Sequence, residues 1–150
     1  PDARCSLVGR DRGVERLRDL IGSEFLLLLV SRTTPERAAA KAVRAAGLAW
    51  PAPCRVAVVG ADRALRGISV LRDDFGELVR AYGAAGSRAW LIRPDGHLAG
   101  SLPLSGRESV DRLPSLMALA IGSPDTAIVS TPEARRRGLG SVRIRGRRVA

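Results

Sequence analysis

Glu24 to Ser31 reads EFLLLLVS. Six apolar residues without a polar break, bounded by polar ones, make a segment of strand length. A half-buried strand alternates; an uninterrupted run belongs to a strand covered on both faces. The chain must therefore fold with layers on both sides of a sheet, and this strand sits at its centre. The residues that follow specify how. Thr34 is placed to cap a helix, Pro35 suits the first helical position, and Glu36 favours its positive end. The Ala-rich helix stops near Gly47, Trp50-Pro51-Ala52-Pro53 forms a loop, and Arg55 to Val59 supplies a second buried strand. A strand–helix–strand unit with a right-handed crossover is the expectation.

Further elements surround this unit. Val14, Leu17, Leu20 and Ile21 share a helical face that ends at Gly22. Ile68, Val70 and Leu71 form a short strand or a packed loop. Phe75, Leu78, Val79 and Tyr82 recur at helical spacing and predict a core-facing stripe ending at Gly83. Ala89 to Ile92 predicts a third strand. Pro94-Asp95-Gly96 turns the chain into a fourth strand starting near His97, so residues 88–102 read as an antiparallel hairpin. Val110, Leu113, Leu116, Met117, Ala120 and Ile121 predict a last helix, which Pro114 either kinks or begins.

Charge divides the chain. Of its 150 residues, 25 are basic and 15 acidic, a net charge of +10. Residues 135–150 hold seven arginines and no acid, so residues 1–134 carry only +3. The expected organisation is a domain over 1–122 and an Arg-rich extension over 123–150. Within the extension, 127–129 and 142–145 could form short edge strands, and Gly138-Leu139-Gly140 follows an Arg run rather than a buried strand, so it is not a dinucleotide motif. Seven cations without interleaved aromatics give phosphate affinity without sequence reading, so nucleic acid is not the expected partner. No apolar run reaches membrane length and no signal peptide is visible. A cytoplasmic protein without membrane contact is the expectation. A start at Pro1 fits removal of an initiator Met and equally excision from a longer protein.

Chemistry-bearing residues are few. Cys5 and Cys54 make neither a C-x-x-C nor a metal cluster, and Cys54, near no activating base in sequence, reads as a buried structural thiol. His97 lacks partners at zinc or triad spacing and sits beside a turn. Arg93 and Asp95 can pair across that turn. Asp73 and Asp74 are placed to cap a helix rather than to bind a cation.

The element order, with a buried strand–helix–strand unit, a connecting helix and a hairpin–helix unit, is that of the thioredoxin fold: α/β, a central mixed four-stranded sheet flanked by helices. There the redox thiol lies where the first core strand meets its helix, and the helix end lowers its pKa. Here that turn is Ser31-Arg32-Thr33-Thr34-Pro35-Glu36, and redox cysteines are absent. It also lacks a peroxiredoxin Thr-x-x-Cys. Gly86-Ser87-Arg88 stands where thioredoxins carry a cis-proline.

AWLIRPDGHLAG (89–100) resembles the "LVRPDGHVAWR" block near the C-terminus of FAD-dependent aromatic-ring monooxygenases, the phenol, hydroxyphenylpropionate and polyketide hydroxylase group. LRDLIGSEFLLLLV (17–30) resembles their "LHDLLGRGFTLL", PDARCSLV (1–8) a degraded "PGxRxPH", and DDFGELVRAYGA (73–84) their acidic loop and "YGA" helix. Gly100-Ser101 stands where the family has an aromatic and an Arg. The resemblance spans about residues 1–122. It implies a C-terminal thioredoxin-like domain with no catalytic, cofactor-binding or metal residues of its own. FAD and NAD(P)H would serve the full-length enzyme. Its partners would be the FAD-binding and substrate domains of the same polypeptide, or a second copy in a homodimer. The alternatives are a stand-alone, redox-inactive interaction module using the basic tail, and a one-cysteine thiol enzyme acting through Cys54.

Overall fold

The computed structural model describes residues 2–9, 15–83, 86–106 and 108–122. The expectations for Val14 and for 123–150 lie outside them. Along the chain come β1 (Arg4–Leu7), β2 (Glu15–Arg16), a 3-10 turn (Leu17–Leu20), β3 (Phe25–Val30), α1 (Pro35–Ala46), β4 (Cys54–Val59), β5 (Ser69–Arg72), α2 (Glu77–Tyr82), β6 (Arg88–Ile92), β7 (Leu98–Pro103), α3 (Glu108–Asp111) and α4 (Leu113–Ala120).

The strands form one mixed sheet in the order β2-β1-β5-β4-β3-β6-β7. β3 lies inside it, parallel to β4 and antiparallel to β6. Every residue of β3 is buried, and the two faces explain why. Leu27 and Leu29 meet Ala38, Ala42 and Ala45 of α1 with Val110 and Leu113. Leu26, Leu28 and Val30 meet Leu17, Leu20, Leu78 and Tyr82 on the other side. Alanines on α1 let the helix lie close to the sheet. Met117 of α4 packs on Phe25 and Leu91 in a third cluster.

Four expectations need correction. The four-stranded sheet is the core of a wider one, because β1, β2 and β5 extend it beyond β4. Residues 17–20 form a single 3-10 turn rather than an amphipathic helix. β2 takes Glu15 and Arg16, the Asp19 carboxylate caps the start of the turn by accepting the Arg16 N–H at 3.0 Å, and the turn ends where Ile21, its N–H bonded to the Arg18 carbonyl, becomes extended. Phe75 leaves the core stripe. α2 begins only at Glu77, and the exposed Phe75 ring lies under the Arg4 guanidinium, 4.1 Å from its centroid. Thr34 caps α1 by position, but its side chain makes no capping bond; Ser31 serves that turn instead, as described below. Pro114 stands in the first turn of α4, after a break at Arg112 that separates it from α3.

Candidate functional site

The β3–α1 turn is where a thioredoxin would hold its thiols. Ser31 follows the last residue of β3 and is only 5% exposed. Its Oγ accepts the Thr34 N–H at 3.1 Å and lies 3.3 Å from Thr34 Oγ1. Ser87, just ahead of β6, closes the group with its hydroxyl 2.7 Å from Ser31 Oγ. A buried polar group costs stability unless it is bonded, and these hydroxyls satisfy one another. Three hydroxyls thus occupy the position of a redox centre. Sequence reading located both the turn and the Gly86-Ser87-Arg88 segment but not the hydroxyl contact between them, because the two serines lie 56 residues apart.

Hydroxyls become nucleophiles only beside a base. His97 is on the β6–β7 turn, at the far end of β6 from Ser87, a five-residue strand or ~17 Å distant. It is exposed and faces Asp95, 3.4 Å from Nδ1 to Oδ1. Asp95 organises that turn. Its carboxylate accepts the His97 N–H at 3.1 Å and pairs with Arg93 at 2.7 Å. The hydrogen bond from His97, with the Arg93 charge in support, holds its pKa below the usual carboxylate range. The expected Arg93–Asp95 pair is present, and the arrangement is a turn rather than an acid–base site.

Asp73 and Asp74 belong to another turn. Asp73 caps α2 with both oxygens, accepting Leu78 N–H at 3.0 Å and Val79 N–H at 2.8 Å. Asp74 accepts the Ser6 hydroxyl at 2.8 Å. The cysteines sit on opposite faces of the sheet. Cys5 is buried with the α2 layer, while Cys54 packs against the α1 and α4 layers, so they cannot be bridged. Burial pushes the Cys54 thiol up to about 12, which removes the thiolate a nucleophilic cysteine needs.

No cluster of three or more His, Cys, Asp or Glu exists among the described residues to hold a metal. FAD is no better served. A dinucleotide pyrophosphate is cradled by a glycine-rich strand–helix turn that offers free N–H groups. The β3–α1 turn has no glycine, and Pro35 removes one donor. These residues do not fit FAD. No described helix is long and apolar enough to cross a membrane.

No protein-family model matches the chain, and no curated protein matches it. Solved structures do. The flavin-dependent monooxygenase PieE, solved with FAD and substrate, superposes with a TM-score of 0.58 at 28% identity, over 83% of this chain and 19% of that one. Aklavinone-11 hydroxylase, solved with FAD and aklavinone, gives 0.54 at 22% identity, over 81% of this chain and 20% of its own. The exposed lipoprotein thioredoxin Etrx1 of Streptococcus pneumoniae gives 0.50 at 16% identity, over 77% of this chain and 98% of its own. The chain spans about a fifth of each monooxygenase but nearly all of the thioredoxin. It is thus a thioredoxin-like α/β domain that resembles, in its hairpin block and in its fold, the C-terminal domain of FAD-dependent aromatic-ring monooxygenases.

Proposed function

We propose that this chain is the noncatalytic, C-terminal thioredoxin-like part of an FAD-dependent aromatic-ring hydroxylase, where it supports the packing of the flavin and substrate domains or their dimerisation. The observation that carries the reading is the match to PieE: most of this chain aligns at 28% identity, yet it accounts for 19% of that protein. Two features support it. The turn that holds thiols in a thioredoxin carries mutually bonded hydroxyls instead. The described residues offer no flavin cradle, so flavin chemistry would lie on another part of the polypeptide.

The domain assignment follows from the same reading, with residues 1–122 as the packing domain and 123–150 as a basic extension. The reading frame upstream of Pro1 tests it. We expect a strand followed by a G-x-G-x-x-G turn, and an expressed full-length protein that binds FAD and hydroxylates an aromatic ring at the expense of NAD(P)H. The 150-residue chain alone should show neither flavin absorbance nor reduction of insulin disulfides. An initiator Met directly before Pro1 would sink the proposal.

A further inference from the structure

The hydroxyl cluster opens onto a cleft of about 910 Å³ between α1, the Gly86–Ser87 segment and the segment after β7. Its described lining includes Thr34, Ser87 and Ser105, the cations Arg37 and Lys41, and no carboxylate. Six described arginines, Arg4, Arg16, Arg18, Arg44, Arg55 and Arg93, are each paired with an Asp or Glu; the two cations of the cleft are among those that are not, and they share one lining. Arg37 has no ion-pair partner among the described residues, and Lys41 reaches only a neutral acceptor, the Leu104 carbonyl. The two sit four positions apart on one helix, where like charges repel. Burial, with the Arg37 charge added, lowers the Lys41 pKa. The missing ion pairs describe a cleft short of negative charge, and the lowered Lys41 pKa adds that its ammonium is partly desolvated.

We propose that this cleft binds a phosphoryl group, with Arg37 and Lys41 neutralising its charge and whichever of the Thr34 and Ser87 hydroxyls does not donate to Ser31 adding a hydrogen bond. The charge count favours phosphate over carboxylate. A carboxylate carries one charge and leaves one cation unmatched, whereas a phosphate monoester is close to dianionic at neutral pH and matches two. Arg also offers a planar donor fork suited to phosphate oxygens. The cleft volume falls in the range of small-molecule sites, ~300–1,000 Å³, which exceeds the need of a bare phosphate and leaves room for an esterified carrier. The site does not depend on membership of a flavoenzyme, so it stands or falls separately from the function proposed above.

The test is an amide-resolved NMR titration of the whole 150-residue chain with inorganic phosphate and, separately, with adenosine monophosphate at constant ionic strength. Saturable shifts are expected at Thr34, Arg37, Lys41 and Ser87. Arg37→Gln, at an exposed position, should weaken binding about tenfold while leaving the remaining spectrum in place. Lys41→Met should do the same, and Lys41→Arg should restore binding if the first variant disturbs the Leu104 contact. Tighter binding of the nucleotide identifies an ester as the ligand, and equal binding identifies free phosphate. Both keep the proposal. Shifts at these amides no larger than those caused by chloride, or titrations unchanged in Arg37→Gln, overturn it. Phosphate contacts confined to the seven arginines of residues 135–150 would overturn it as well.

Discussion

The two ends of β6 differ in what they preserve. At its start, Ser87 joins Ser31 and Thr34 in a part-buried cluster that ties three segments of chain together. At its finish, Arg93 to His97 make a turn that is exposed and bonded almost wholly within itself. Yet the sequence block by which the chain resembles the hydroxylases, residues 89–100, runs through β6 into its finish and stops short of Ser87. A turn's local geometry demands particular residues, so it leaves a signature. A buried cluster demands only mutual satisfaction, which several residue types can provide. The likeness thus runs through the strand and its turn, while the tertiary cluster at Ser87 lies just outside it.

The comparison breaks most directly at Ser31. Ser31→Ala adds no bulk but removes the acceptor for the Thr34 N–H and the partner of the Ser87 hydroxyl. Leaving such groups buried and unmet costs ~1–3 kcal/mol, so chemical denaturation should show a loss of about 2 kcal/mol. A loss under ~0.5 kcal/mol would mean the cluster is wetter than its burial indicates. A second variant asks whether the redox position survives as geometry. Ser31 and Thr34 have the spacing of a C-x-x-C pair, and their side-chain oxygens are 3.3 Å apart. Ser31→Cys with Thr34→Cys should oxidise to an intramolecular disulfide, seen as a mass loss of ~2 Da with Cys5 and Cys54 still in the thiol form. Closing so small a loop adds up to about 2 kcal/mol in the chain-entropy limit, and native strain will reduce that.

How much was legible follows the same division. β3 could be read because its burial on both faces needs an unbroken apolar run, and the hairpin because Pro94-Asp95-Gly96 encodes its own turn. β1 and β2 could not. They are short and near the sheet edge: β2 is only Glu15 and Arg16, and the alternation of Cys5 and Leu7 with Arg4 and Ser6 in β1 spans too few residues to stand out. Phe75 was misread because helical spacing cannot reveal that the chain still turns through Gly76, at φ +65°, before α2 begins. The hydroxyl cluster and the cleft were invisible for a nonlocal reason. Ser31 meets Ser87, and Lys41 meets Leu104, only after the sheet is assembled. Gly100 shows the reverse case, a departure noticed in sequence and explained by structure. A Cβ there would lie 2.8 Å from a Leu116 methyl of α4, so any side chain at this position would require Leu116 to move.

The turn end should respond more weakly. Gly96 has φ +82° with open space around it, so Gly96→Ala meets no clash and pays only for the left-handed backbone. That penalty is ~1 kcal/mol, about half the effect at Ser31. Equal losses at both positions would erase the contrast between a tertiary cluster and a local turn.

Asp95→Ala should have the smallest effect, because the carboxylate and both its partners are exposed and such pairs contribute little. A fall in Tm of under about 3 °C is expected. Its pH dependence separates it from a packing defect. Hydrogen bonding by His97 depresses the folded-state pKa of Asp95, so the unfolded chain takes up its proton first as acid is added. The contribution is therefore complete above the unfolded value of ~3.9 and disappears as pH falls through the lower folded value. Wild type and Asp95→Ala should differ in Tm at pH 7 and converge in acid. A constant difference across that range would assign the loss to backbone conformation, and the turn would then be held by Pro94 and Gly96 rather than by its charged side chains.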